Sequence, residues 1–319
     1  MTASLSQLVS KNVQGGAAGG PCFRPLFSSN GRFLAFACWS GDIVVGDDND
    51  RYDTFLLDRS TQQIRRVSLN ANNQEQRNHS AEGYPSADGR FVVFAGEGVF
   101  HPDVGVLPPQ PADHEQENVF LRTFDPPQTE LLGRAANGQG NPGTRGANMQ
   151  DALPERHEVL FSSDGDYLGD ASGGGSRSLF LRNWQSGAVE RITARPDGGI
   201  SQFSAGGQLS PDGRFVVMSS IAADLTSDNP QGYRQLFLRD RLLQNTRRLT
   251  FPWSGGEFSA AAGLGTFFDS LKLSQNAQRL MFVAGFNDEF TADDNPGFSD
   301  VYVQDVASGK VELVSRRQD

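Results

Sequence analysis

The sequence predicts an all-β protein, a β-propeller of four-stranded antiparallel blades. Three observations predict it: one strand-turn-strand module recurs five times, hairpin turns interrupt every helical window, and the 319 residues include 36 glycines. Four antiparallel strands repeated at a near-constant period are a propeller blade, and a ring of such blades leaves only short, protected sheet edges.

The module opens on a polar turn followed by an apolar strand. It reads Ser29-Asn30-Gly31-Arg32-Phe33-Leu34-Ala35-Phe36 in the first copy, Ala87-Asp88-Gly89-Arg90-Phe91-Val92-Val93-Phe94 in the second, and Pro211-Asp212-Gly213-Arg214-Phe215-Val216-Val217-Met218 in the fourth. Asn-Gly and Asp-Gly between apolar runs are the strongest short hairpin signal. The third copy, around Glu155-Arg156-His157, and the fifth, around Asn276-Ala277-Gln278, lack the glycine, so distorted hairpins are expected there. A strand precedes each turn, as in Pro25-Leu26-Phe27-Ser28 and Gly207-Gln208-Leu209-Ser210.

The next strand centres on an aromatic residue, Phe55, Phe120, Phe180, Phe237 or Tyr302, at separations of 65, 60, 57 and 65 residues. A last strand closes each unit at Ile64–Ser68, Glu130–Gly133, Val189–Thr193, Thr246–Thr250 and Val311–Ser315. Most of these alternate apolar and polar residues, the period of a half-buried strand. The units run 21–68, 82–134, 146–194, 205–251 and 268–316, and together predict one propeller domain over 1–319. Residues 5–10 look like an extra outer strand, so an excised six-bladed ring is the rival to five blades.

The turn Ser210-Pro211-Asp212-Gly213-Arg214, and its partner Ser86-Ala87-Asp88-Gly89-Arg90, resemble the TolB-like propeller repeat, which also occurs in the propellers covering some oligopeptidases. The resemblance spans about residues 20 to 316. It implies the fold and says little about activity, because propellers host unrelated functions. It also implies a bacterial cell-envelope setting, periplasmic or extracellular. The first residues, Met1 to Leu8, show neither a basic region nor an apolar run, which fits a cytoplasmic protein or an excised domain equally well.

A formal charge of −10 argues against nucleic acid as a partner, which needs a basic face. No apolar run reaches the ~18 to 20 residues of a membrane helix, so membrane insertion is not expected. Cys22 and Cys38 flank the first hairpin. Adjacent strands can bring them within bridging distance if the register agrees, and two buried thiols are the alternative.

Carboxylates crowd three loops: Asp47, Asn49 and Asp53; Asp228 and Asn229; and Asp293, Asp294, Asn295 and Asp300. Short turning loops of Asp and Asn supply the oxygen ligands that Ca²⁺ takes. The same residues also form Asx-turns without metal. The histidines at 79, 101, 114 and 157 show no metal-ligand spacing, and no Gly-x-Ser-x-Gly elbow is present. Two irregular insertions, Gly96–Glu117 with His101 and Asp103, and Thr250–Phe268 with Trp253 and Phe267, are the expected ligand contacts.

The sequence therefore predicts a non-enzymatic scaffold for a protein or glycan ligand, with Ca²⁺ as its candidate cofactor. The alternatives are a carbohydrate-active or other hydrolase with carboxylates at the central channel, and a propeller domain of a longer envelope protein or peptidase.

Overall fold

A computed structural model describes residues 7–98, 100–102, 117–139, 146–170, 177–199, 201, 204–229, 231–252, 254, 267–285, 290–292 and 298–315. These residues form five four-stranded antiparallel sheets, each with its strands in chain order, and contain no α-helix. The first sheet is β1 (Cys22–Phe27), β2 (Phe33–Trp39), β3 (Tyr52–Asp58) and β4 (Gln63–Arg66), and the second is β5 (Ser80–Pro85), β6 (Phe91–Glu97), β7 (Glu117–Phe124) and β8 (Pro127–Leu131). The third comprises β9 (Asn148–Leu153), β10 (Glu158–Ser163), β11 (Ser178–Asn183) and β12 (Val189–Arg191). The fourth comprises β13 (Ser204–Leu209), β14 (Phe215–Ser220), β15 (Gln235–Asp240) and β16 (Asn245–Arg248), and the fifth β17 (Phe267–Leu273), β18 (Arg279–Gly285), β19 (Ser299–Asp305) and β20 (Val311–Leu313). The chain divides into two compact units, residues 1–159 with 165–170 and 183–188, and residues 160–164, 171–182 and 189–319.

Local chemistry explains why the module folds the same way each time. In the first hairpin, Ser28 Oγ donates to Asn30 Oδ1 at 2.8 Å, and Asn30 Oδ1 also accepts the Arg32 N–H at 3.0 Å. Ser28 Oγ in turn accepts the Phe33 N–H at 3.0 Å. Ser86/Asp88 and Ser210/Asp212 repeat the pattern. Gly31 has φ of 70°, a left-handed conformation that costs glycine nothing.

Both expected distortions have a definite form. The fifth turn keeps its Ser274–Asn276 bond and puts Ala277 at φ of 52° where glycine would sit. The third replaces the turn with a 3-10 turn, Pro154–Arg156, capped by His157 at φ of 56°. The outermost strands end two residues or more before the segments expected from sequence, at Arg66, Leu131, Arg191, Arg248 and Leu313. In four of the five sheets a hydroxyl two residues further on turns back to the third strand. Ser68, Thr193, Thr250 and Ser315 accept the N–H groups of Thr54, Leu179, Leu236 and Val301 at 3.0–3.2 Å.

The repeated aromatic residues occupy equivalent places. Phe55, Phe120, Phe180, Phe237 and Tyr302 are all at most 1% exposed. Phe36↔Phe55, Phe94↔Phe120, Met218↔Phe237 and Phe282↔Tyr302 sit directly opposite one another. Each such side chain contributes roughly 1.5–3 kcal/mol on burial.

A bulge marks the first strand of four sheets, between Phe23 and Leu26, Ser80 and Gly83, Ser204 and Gly206, and Asp269 and Lys272. Just past the second bulge, β5 packs on the first sheet with no room for a side chain. A Cβ on Gly83 would lie 2.9 Å from Thr54 Cγ2 and 3.1 Å from Ala35 Cβ.

Gln7–Ser10 form no strand. Val9 instead packs on the core of the first sheet, and an isolated bridge ties Lys11 to Ala17. Residues 5 and 6 lie outside the described segments. Cys22 pairs with Cys38 in register, and the two form a disulfide.

Two outcomes are expected. Replacing Gly83 with valine overpacks the contact between β5 and the first sheet and lowers stability by ~1–3 kcal/mol, read as a lower urea midpoint; an unchanged midpoint would contradict the close approach. Protein unfolded without reductant is expected to show no titratable thiol, and two after reduction.

Candidate functional site

Two charged groups stand out, and both lie in the unit that contains the first two sheets. The first is built by the loop joining β2 to β3. Asp47 of that loop and Asp53 of β3 meet Glu75, from the segment between β4 and β5, with carboxylate oxygens within 4.8 Å of one another. Arg66, at the end of β4, provides the facing cation. Its Nη2 lies 2.6 Å from Asp47 Oδ1, off the hydrogen-bond line, and its Nη1 donates to Glu75 Oε1 at 2.7 Å. One guanidinium against three carboxylates leaves an excess of negative charge. Burial, with Asp53 beside it, pushes the Asp47 carboxyl up to about 7 against the pull of Arg66. Burial also raises Asp53, while Arg66, Ser68 and Asn49 pull it back. An oxygen-only triad of this kind is capable of coordinating a divalent metal.

The second group gathers on three first strands and the start of β7. Arg24, at the bulge of β1 with φ of 52°, reaches Glu82 at the bulge of β5, Nη1 to Oε1 2.7 Å. Tyr84, two residues on, hydrogen-bonds to Asp151 of β9, and desolvation holds its phenol well above the usual value. Asp151 is buried, and its Oδ1 also accepts the Ala152 N–H at 2.9 Å. Glu117, the first residue of β7, accepts the N–H of Met149 on β9 at 3.0 Å. Burial pushes its carboxyl up to about 7; the Met149 bond and the charge of Arg24 oppose this, and the charges of Glu82 and Glu97 reinforce it. Perturbed carboxyls of this kind cluster at functional sites.

The remaining residues singled out from sequence have plainer surroundings. Asn49 staples its loop, donating to Asp53 Oδ2 at 2.9 Å and to the Gln76 carbonyl at 2.7 Å. Asn229 does the same with the carbonyls of Ala222 and Tyr233, while Asp228 is exposed. Asp300 accepts the Ser315 hydroxyl at 2.5 Å, the position that Asp53 holds with Ser68 in the first sheet. Among the described residues, neither Asp228 nor Asp300 joins a carboxylate cluster. His101 borders a shallow cleft with Asn70, Asn72, Phe100 and Pro102. Asp103, Trp253, Asp293, Asp294, Asn295 and the side chain of Phe267 lie outside the described residues.

Sequence reasoning missed Glu75, Arg66 and the whole second group. A faint signal existed: Arg66 recurs as Arg191 and Arg248, buried where an outer strand should be polar. Glu82 likewise interrupts a strand between a buried serine and a buried glycine.

No protein-family model matches the chain, and no curated protein does. Solved structures do. A prolyl endopeptidase aligns with 94% of this chain and 37% of its own at 11% identity and a TM-score of 0.53. The β-propeller domain of the Trilobed protease from Pyrococcus furiosus aligns over 93% and 71% at 9% identity and a TM-score of 0.50. A putative TolB from Agrobacterium tumefaciens aligns over 92% and 80% at 14% identity and a TM-score of 0.49. At these identities the likeness to the prolyl endopeptidase and to the Trilobed protease propeller establishes a propeller-like fold. It does not single out the TolB-like repeat family. The chain spans little more than a third of the prolyl endopeptidase it resembles.

Glu117 carries a pH dependence with a definite sign. Its folded carboxyl titrates near 7 against an ordinary 4.5, so the unfolded chain gives up its proton first. Its contribution to stability is therefore fully present below pH ~4.5, is lost as pH rises toward ~7, and is level above that. Urea melts at pH 5 and pH 8 should show a smaller difference for Glu117→Gln than for the wild type. Equal differences would mean that the carboxyl is not raised.

Proposed function

We propose that this chain is a propeller-like hydrolase domain acting on glycosidic bonds, with its chemistry at the carboxyls of Glu117 and Asp151. The observation that carries the reading is Glu117. A carboxyl titrating near 7 is half protonated at neutral pH and suits proton transfer to a leaving group. Asp151, held by Tyr84 and the Ala152 N–H, is the second carboxylate, which takes the proton from the attacking water. Arg24 pairs directly with Glu82, and its pull on Glu117 is outweighed by burial and by the charges of Glu82 and Glu97. The chain offers no Gly-x-Ser-x-Gly elbow, so carboxylate chemistry is the hydrolytic route its residues support. The likeness to the propellers of peptidases supports a hydrolase setting, and the Cys22–Cys38 disulfide supports an oxidising compartment.

The expected result is release of new reducing ends from at least one neutral oligosaccharide, whose alkoxide leaving group needs the proton, lowered at least ~10²-fold in Glu117→Gln. The wild-type rate should fall as pH rises through ~7, where the donor loses its proton. No release from any neutral oligosaccharide, or equal rates in the variant, would defeat the reading.

A second role rests on a different observation, the Asp47–Asp53–Glu75 triad. Its excess negative charge and hard oxygen donors favour Ca²⁺, which would tie the β2–β3 loop to the segment before β5. Millimolar Ca²⁺ is expected to raise the melting temperature and chelator to reverse it, with Glu75→Gln abolishing the response. A melting temperature indifferent to both removes calcium from the account.

A further inference from the structure

A four-ring aromatic group stands beside the carboxylates of the second group. Trp39 ends β2 and faces Tyr52, the first residue of β3, directly across the ladder. Their rings meet edge to face, 5.0 Å apart at 75°. Phe23 of β1 packs on Tyr52 at 4.9 Å and 84°. His79, just before β5, lies 5.4 Å from Tyr52 and 6.1 Å from Trp39. Its Nδ1 accepts the Tyr52 N–H at 3.1 Å, which holds the imidazole in place. These rings do not form a buried core: Trp39 is 42% exposed, and the other three are half-buried.

Arg24 joins this group to the carboxylates. Its guanidinium carbon lies 5.9 Å from the centroid of Phe23, while its Nη1 holds Glu82. Strand register also puts Glu97 opposite Glu117, at the end of β6 and the start of β7, one residue beyond the Ser80↔Gly96 pair that opens β5. His79 leads directly into that pair, and its carbonyl accepts the Glu97 N–H at 2.8 Å. The rings and the carboxylates therefore lie at the same end of the first two sheets.

We infer that Trp39, Tyr52 and Phe23 form a binding platform for a neutral oligosaccharide, with Arg24 and Glu82 as its polar edge. A pyranose presents apolar C–H faces and a rim of hydroxyls, which match an exposed indole flanked by a guanidinium–carboxylate pair. Apolar and aromatic walls with a few placed polar groups are the usual composition of a small-ligand site. Charge selects among sugars. Arg24 already occupies the cation position over Phe23, so an aminosugar meets like charge there. Arg24 is itself engaged by Glu82 at 2.7 Å, so a uronate finds its cation taken and a carboxylate beside it. The platform deepens the glycosidase reading and rests on it for its partner carboxylates, yet its binding step stands or falls alone.

Tryptophan fluorescence titration of the full chain tests it, with neutral hexaoses of glucose (cellohexaose and maltohexaose), xylose and mannose. Hexagalacturonate and chitosan hexamer serve as the anionic and cationic counterparts. At least one neutral hexaose should bind, at least tenfold more tightly than either charged one. Trp39→Gln should weaken that binding at least tenfold, Trp39→Phe only a few-fold, and Trp184→Gln not at all. If Trp39→Gln fails to fold, the Trp39→Phe and Trp184→Gln pair still decides: a larger loss in the second overturns the platform. No neutral binding, equal binding of a charged hexamer, or an unaffected Trp39→Gln likewise overturns it. Binding that depends on Trp39, with no sugar cleaved by the wild type, sustains the platform and rejects the hydrolase. Cleavage with KM unchanged in Trp39→Gln does the reverse.

Discussion

The register between the second and third strands of each sheet is the constraint on which the rest depends. Side chains alternate faces along a strand, so a slip of one residue would turn Phe55 or Phe120 out of the core. The Ser-Asx turn sets the start of the second strand, and the hydroxyl returning from the fourth strand holds the third. With these in place, Phe36 meets Phe55 and Phe94 meets Phe120. The same register carries to the strand ends, where it sets Trp39 opposite Tyr52 and Glu97 opposite Glu117. Packing in the core and chemistry at the edge are thus consequences of one alignment.

The charged residues divide by burial. Arg32–Asp58, Arg214–Asp240 and Arg279–Asp305 repeat one ion pair at the base of three sheets. Their arginines are substantially exposed, and such pairs contribute about 0–1 kcal/mol each. Arg66 is different, at 5% side-chain exposure among three carboxylates. Removing it would leave buried like charges facing one another, which is far more costly than losing a surface pair. The Asp47 loop is held to the Glu75 segment by charge more than by apolar contact.

First strands behave differently from the other three. They carry the bulges and, at Gly83 and Gly207, close glycine contacts with a neighbouring sheet, and charged residues sit at two of those bulges. A bulge re-aims a side chain that a regular strand would send to the opposite face. Arg24 and Glu82 occupy corresponding bulges in consecutive sheets, and their ion pair follows from that equivalence. Two irregularities in the repeat create a charged edge that the regular module lacks.

The strands, their order, the turn chemistry and the buried aromatic positions were all legible in the sequence, because each is governed by contacts within about sixty residues and by a period of two. So was the acidic loop at Asp47 and Asp53. The tertiary structure alone decided that Glu75 and Arg66 complete that loop, that Asn49 is a staple, and that Asp300 serves a serine hydroxyl. It alone brought Arg24, Glu82, Tyr84, Glu117 and Asp151 together from four strands, with Trp39 and Tyr52 beside the first of them. The physical reason is that a strand's pattern records which face is buried, whereas a site at the sheet ends is assembled by bulges and by packing between sheets. Neither leaves a periodic trace in the chain.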